Sequence, residues 1–136
     1  MTMKTLKVII ESTGNNYSAY IEGLDGIVAT GSTLSEIKTN MRAAIAEYAE
    51  TCRSVGCDVP EELQGEYELA FQMDVKSLLA FYTGIFTKSG LERLTGINQK
   101  QLWHYANGIS TPRRKQVQKI ESALHRLGSE LLAIHL

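Results

Sequence analysis

The hydrophobic period of this chain changes once, and that change constrains the fold more than any other feature. Residues 66–73 alternate strictly. Tyr67, Leu69, Phe71 and Met73 stand on one side, and Glu66, Glu68, Ala70 and Gln72 on the other. This is the two-residue period of a half-buried strand. After Met73 apolar residues recur three and four apart, as in Val75, Leu78, Leu79 and Tyr82, and again in Val117, Ile120, Leu124 and Leu127. That is the period of amphipathic helices. A length of 136 residues accommodates one domain or two small ones. The change of period favours two, at residues 1–73 and 74–136.

Charge divides at the same place. Residues 1–73 carry five basic and eleven acidic side chains, a balance of −6, whereas residues 74–136 carry nine and four, a balance of +5. The formal total of −1 conceals this. The basic half suits a polyanion, and the acidic half would repel nucleic acid and attract a basic protein.

Within the first half, Leu6, Val8 and Ile10 alternate with polar residues and predict a strand over residues 4–11. Gly14-Asn15-Asn16 is turn chemistry, and Tyr17, Ala19 and Ile21 define a second strand. Asp25-Gly26 is read as the next turn, with the third strand at residues 27–30. Thr33 and Glu36 are spaced as a capping box. The helix that follows places Leu34, Ile37, Met41, Ala44, Ile45 and Tyr48 on one stripe and is expected to end near Thr51. Residues 54–65 read as a loop. One helix covers one sheet face, so the other face, which carries charge, must be solvated or bind something.

In the second half, Asp74 can cap a helix stopped by Gly84, and a second short helix covers residues 88–95. Gly96-Ile97-Asn98 is a turn whose Asn98 can cap a third helix, residues 99–107, stopped by Gly108. Pro112 starts a fourth helix, which Gly128-Ser129 interrupts, leaving Leu131, Leu132 and Ile134 in a short fifth. The predicted fold class is therefore α+β: an N-terminal β-β-β-α-β unit followed by an all-α unit.

Residues 88–105 have helix-turn-helix grammar. Leu91 precedes the turn glycine Gly96 by five residues, Ile97 plugs the corner, and Leu102 and Tyr105 fix the second helix to the core. Glu92 and Thr95 depart from the grammar, where a small and a larger apolar residue are usual. The second helix of such a pair fits the major groove, and here it would display Asn98, Gln99, Lys100, Trp103, His104 and Asn107. Gln99 and Lys100, at its exposed start, are the candidates for base edges, since Gln can bond adenine bidentately and Lys can meet guanine. Arg113, Arg114 and Lys115 follow Pro112 and are the candidates for phosphate.

Catalytic and metal chemistry find little support. Glu11, Glu22, Glu66 and Glu68 lie on short strands, where solvent-facing acids are ordinary, and His104, His125 and His135 all fall in the helical half. Cys52 and Cys57 have no histidine within forty residues and read as reduced, structurally incidental thiols. No enzymatic activity, cofactor or metal is expected. No run of about 18 apolar residues offers a membrane span. Glu11 closes off any signal-peptide core, so a cytoplasmic location is expected.

Residues 7–49 resemble the HicB antitoxin domain. The resemblance is carried by Tyr17-Ser18-Ala19-Tyr20-Ile21-Glu22-Gly23-Leu24-Asp25-Gly26, by Gly31-Ser32-Thr33-Leu34-Ser35-Glu36-Ile37 and by Asn40-Met41-Arg42-Ala43-Ala44-Ile45. Members often carry Pro and Cys where Asp25 and Ile27 stand here. The C-terminal half is similar to the Cro-repressor-like domain that some HicB proteins append. The resemblance implies a reduced ribonuclease-H-like fold for the first unit. It implies a HicA-like toxin as partner, a small basic messenger-RNA-cleaving protein blocked by direct binding, and operator DNA as the target of the second unit. The protein would then be the antitoxin of a type II toxin–antitoxin system that represses its own operon. A single-component helix-turn-helix regulator, whose N-terminal unit dimerises or binds a small ligand, is the alternative. Either way a dimer or higher homo-oligomer is expected, because operators usually present two half-sites and the 117–132 stripe exceeds what a small helical unit needs.

Overall fold

The computed structural model describes residues 3–13 and 16–136. The chain divides into two compact units, Met1–Asp74 and Val75–Leu136. The first is a mixed sheet with one long helix, and the second is helical, so the chain is of mixed α and β class.

The first unit contains β1 (Lys4–Ser12), β2 (Tyr17–Ile21), β3 (Leu24–Gly31), α1 (Leu34–Val55) and β4 (Tyr67–Gln72), with sheet order β3-β2-β1-β4. β1 pairs antiparallel with β2, and β2 antiparallel with β3. β4 joins the free edge of β1 in parallel. A parallel pair needs a long crossover, and α1 with the segment after it supplies one. Alternation sends Leu6, Val8, Ile10, Ala19, Ile21, Ile27 and Ala29 into the core against Ile37, Met41, Ile45, Ala49 and Cys52 of α1, all of them buried.

Three local expectations for this unit are corrected or fall aside. The predicted turn at Gly14-Asn15-Asn16 includes residues 14 and 15, which lie outside the described residues. The turn between β2 and β3 is at Glu22-Gly23, not at Asp25-Gly26. Pairing passes from Tyr20↔Val28 directly to Ile21↔Leu24, so Asp25-Gly26 forms a bulge within β3. Gly23 and Gly26 both have positive φ, 85° and 89°. Turns and bulges make the same demand on glycine, and composition alone does not separate them. The third correction concerns α1, which runs one turn past Thr51. Buried Cys52 continues its apolar stripe, and Gly56, at φ 79°, ends it. There Gly56 N–H donates to the Arg53 carbonyl at 3.3 Å and Cys57 N–H to the Cys52 carbonyl at 2.9 Å.

At the start of α1 the Thr33 hydroxyl accepts from Glu36 N–H at 3.1 Å. The return bond of the box is displaced by one residue, because the Glu36 carboxylate accepts from Ser32 N–H at 3.2 Å and from the Ser32 hydroxyl. These donors hold the Glu36 carboxyl below its ordinary pKa.

The second unit contains α2 (Val75–Phe81), α3 (Lys88–Thr95), α4 (Gln99–Ala106) and α5 (Arg114–Ala133). Val75, Leu79, Leu91, Ile97, Leu102, Tyr105 and Ile120 form its core, with Leu78, Phe86, Val117 and Leu124 packed around them. α2 ends at Phe81, ahead of the expected stop at Gly84. α5 begins at Arg114 with Arg113 as its N-cap, not at Pro112. It also runs unbroken through Gly128-Ser129, so the predicted fifth short helix is the last part of the same rod. A mid-helix glycine costs only about 1 kcal/mol, less than the apolar stripe on either side of it recovers by staying in phase.

Candidate nucleic-acid interface

α3, the Gly96 turn and α4 are held together by identifiable bonds. Thr87 caps α3, its hydroxyl accepting from Gly90 N–H at 3.0 Å. Gly96, at φ 76°, ends α3, where its N–H reaches the Glu92 carbonyl at 2.8 Å. Ile97 is buried in the corner and Leu102 is 1% exposed beneath α4.

The two departures from the grammar prove to be structural members. Thr95 is buried, and its hydroxyl donates to the Leu91 carbonyl at 2.7 Å and accepts from Ile97 N–H at 3.1 Å. A larger apolar side chain there would leave the turn amide unbonded. Glu92 reaches across the turn, its Oε1 accepting from Gln99 N–H at 3.0 Å. Asn98 Oδ1 accepts from Lys100 N–H at 2.8 Å. Two acceptors from different segments thus satisfy the first amides of α4, and a carboxylate there also complements the positive end of the helix dipole. The signal for Glu92 was available in the sequence: a carboxylate seven residues ahead of a helix start, across a glycine turn. Glu92→Gln keeps the size but removes the charge, and should cost about 1 kcal/mol of stability, read by urea denaturation. An unchanged midpoint would show that the charge contributes nothing.

The predicted reading residues divide into those spent on structure and those left outward. Asn98 is a cap. Asn107 is the C-cap of α4, its Nδ2 donating to the Trp103 carbonyl at 2.8 Å. Gln99 is exposed, and its Nε2 lies 3.5 Å from Glu92 Oε2, at the limit of a hydrogen bond. Lys100 is exposed at the start of α4. Trp103 is 47% exposed, with its ring 5.7 Å from that of half-buried His104. Gln99, Lys100 and Trp103 are therefore the exposed side chains of α4 itself, and the flanking caps Asn98 and Asn107 are exposed too but hydrogen-bonded to its ends. Gln101, one position on, is turned to the Ser110 hydroxyl at 3.2 Å.

Arg113, Arg114 and Lys115 are all exposed at the N-terminal end of α5. Lys115 also lines an open groove of about 440 Å³ with Lys119, Arg126, Gln118 and Ser122 of α5 and with Leu94 and Thr95 of α3. The basic surface thus extends along α5 beyond the predicted trio. Lys119 and Arg126 went unassigned because neither lies in a charge run. Their spacing of four and seven residues after 115 and 119 is what places them on one side of the helix.

The first unit presents a different surface. On the sheet face away from α1, the register aligns Ile9, Tyr20 and Val28 in one row across three strands. Val28 is 59% exposed and Tyr20 is also exposed. Around the row stand Glu11, Glu22 and Glu68, with Lys7 paired to Glu22 at 3.5 Å. Partial burial and the neighbouring Glu11 carboxylate push the Tyr20 phenol above its ordinary pKa, and its hydroxyl lies 3.4 Å from Glu11 Oε1. Most bases of this unit are engaged. Arg53 pairs with Glu50 at 3.2 Å, Lys4 donates to the Glu61 and Gln64 carbonyls, and Arg42 lies over the Tyr67 ring at 5.8 Å. A base held to a carbonyl or a ring keeps its charge, so these contacts leave the balance of −6 over residues 1–73 unchanged.

Among the described residues, no group of three or more His, Cys, Asp or Glu side chains is placed to hold a metal ion, and no helix is long and apolar enough to cross a membrane. Comparison of the chain with protein-family models, curated proteins and solved structures gives no match in any of the three.

Proposed function

We propose that this chain is a DNA-binding antitoxin of the HicB type: the C-terminal unit reads operator DNA, and the acidic N-terminal unit holds a small basic ribonuclease toxin. The observation that carries the reading is the α3–turn–α4 pair, whose second helix is capped from two sides and leaves Gln99, Lys100 and Trp103 outward. The exposed bases at the start of the next helix add the phosphate-binding component that every such reader needs. The β-β-β-α-β order of the first unit is the order expected of a reduced ribonuclease-H-like HicB domain. Its balance of −6 suits a basic partner by charge complementarity.

The test for DNA is fluorescence anisotropy with duplex from the region upstream of the protein's own coding sequence, against a random duplex of equal length. The wild type should prefer the upstream duplex. Gln99→Ala and Lys100→Ala should each lose about 1–3 kcal/mol on that duplex and little on the random one. Equal affinity for both duplexes, unaltered by either substitution, removes α4 from the reading role.

The Ile9–Tyr20–Val28 row, with Tyr20 and Val28 exposed and Ile9 half-buried, also suits the second reading, a single-component regulator that dimerises through its sheet. The neighbouring reading frame separates the two. An adjacent short basic ribonuclease that is inhibited on mixing with the full chain supports the antitoxin, and the absence of such a frame supports the lone regulator.

A further inference from the structure

The end of α1 brings two thiols together. Gly56, in the left-handed conformation, lets the chain fold back, so that Gly56 N–H donates to the Arg53 carbonyl and Cys57 N–H to the Cys52 carbonyl. These two bonds make a Schellman motif, which sets the side chain just past the glycine against one in the last turn of the helix. That contact is commonly apolar, but here both positions are cysteine. The bond between Cys57 N–H and the Cys52 carbonyl, 2.9 Å long, also fixes the reach. Standard bond lengths on either side of it leave the two Cα atoms roughly 6 Å apart or less. A disulfide spans about 4.4–6.8 Å between Cα atoms. Both thiols are free, Cys52 buried and Cys57 exposed. They act on each other. The Cys57 thiol, ahead of burial, pushes the Cys52 thiol above its ordinary pKa, while the Tyr48 hydroxyl one turn back and the Arg53 guanidinium draw it the other way. Cys52 thus tends to hold its proton, and Cys57 is the thiol that a solute can reach.

We propose that Cys52 and Cys57 form a reversible thiol–disulfide pair, closed by exchange with a small-molecule disulfide and reopened by the corresponding thiol. In the first step the Cys57 thiolate attacks one sulfur of that disulfide. A mixed disulfide forms at Cys57, the reagent's S–S bond breaks, and its other half leaves as a thiolate that takes up the Cys57 proton. Cys52 then gives up its proton and attacks the Cys57 sulfur. The new S–S bond closes between the two cysteines, and the second half of the reagent leaves and is protonated. Two protein thiols are oxidised, one small disulfide is reduced to two thiols, and both protons go to the leaving groups. The closed bond ties residue 52 to residue 57 across the end of α1, where the crossover to β4 begins. Oxidation therefore fixes the point from which the crossover leaves the helix. In a reducing compartment such a pair cycles and does not stay oxidised. The contact gives a role to thiols that spacing alone leaves incidental, and it does not depend on the DNA or toxin assignments.

The experiment equilibrates the full chain in mixtures of reduced and oxidised glutathione, quenches with acid, alkylates the remaining thiols and weighs the intact protein. The native wild type should lose two hydrogens and retain no glutathione. Its midpoint, expressed as the ratio of squared reduced to oxidised glutathione, should lie at least about tenfold higher than that of the same chain in concentrated urea. Tenfold corresponds to a reduction potential about 30 mV lower. The helix end presents the thiols to each other in the native chain only, so the difference measures the motif itself. Cys57→Ser should leave the buried Cys52 unmodified, and Cys52→Ala should stop with one glutathione on Cys57. Because Cys52 lies in the core, circular dichroism checks that the alanine variant folds, and the wild-type comparison stands without it. Three results would each overturn the proposal: a wild type whose end product carries glutathione on Cys57, one that links to a second chain through Cys57, or equal midpoints for the native and unfolded chains.

Discussion

Replacing Leu102 with alanine should destabilise the C-terminal unit by about 2–5 kcal/mol, the range for emptying a well-enclosed apolar site. Leu102 is 1% exposed and belongs to the cluster of Leu79, Leu91, Ile97, Tyr105 and Ile120. That cluster joins α2, α3, α4 and α5, so the vacated space borders four helices and cannot be closed by moving any one of them. A small gap of about 10 Å³, lined by Leu102, Leu91, Ile120 and Leu124 among others, already exists there. The loss would be a large share of the roughly 5–15 kcal/mol that holds an ordinary domain. Trp103 is the chain's single tryptophan and lies on α4, so its fluorescence in a urea titration reports on this unit. A loss below about 1 kcal/mol would mean that α4 is not pinned as described, and that Gln99 and Lys100 are not presented on a rigid support.

The second large effect is expected in DNA affinity. Changing Arg113, Arg114 and Lys115 together to glutamine should flatten the dependence of log affinity on log salt by about 2.7 units on a random duplex, if each side chain meets one phosphate. The affinity difference from wild type should be greatest at low salt and shrink as salt rises. Changing Lys119 and Arg126 together provides the comparison. These two line the groove shared by α3 and α5 with Lys115, and a similar flattening from them would extend the phosphate track along α5. Identical salt slopes for the wild type and the triple variant would remove the start of α5 from the contact. Both experiments use the full chain, and neither needs the operator sequence to be known.

The sequence made some of these features legible and concealed others, for physical reasons. Alternation located β1, β2 and β4, because a half-buried sheet enforces a two-residue period that little else imitates, whereas β3 was placed from the run after Asp25-Gly26 and begins three residues earlier than that reading. Helix stops depended on glycine, with mixed success. Gly96 closes α3 and Asn107 with Gly108 follows the end of α4, whereas α1 continues past Thr51 to Gly56 and α5 runs through Gly128. The difference lies in tertiary context: Gly56 adopts positive φ and closes two carbonyl bonds, but Gly128 sits mid-stripe in a helix held by its neighbours. The α3–turn–α4 pair was legible from its spacing. How the polar residues around α4 are apportioned was legible only in part: the sequence marks Asn98 as a cap, whereas the fold shows that Asn107 and Glu92 are also committed to helix ends while Lys100 and Trp103 are not. Glu92 looked like a defect in the pattern because its partner, the Gln99 amide, is brought close only by the turn.

The parallel pairing of β4 with β1 has a consequence for how the chain is made. Lys4 lies opposite Tyr67 and Ile9 opposite Gln72, so this pairing joins segments more than sixty residues apart. During synthesis β1, β2, β3 and α1 emerge first, and until Tyr67–Gln72 follows them the nine-residue β1 is an open edge. That edge offers unpaired backbone groups beside the run Val8-Ile9-Ile10, a template for another chain's strand. The late strand is therefore also a guard against aggregation. A ribosome stalled anywhere before residue 67 would hold a nascent chain prone to stick to its neighbours, whereas the helical unit, built from contacts nearer in sequence, can assemble quickly once it clears the exit.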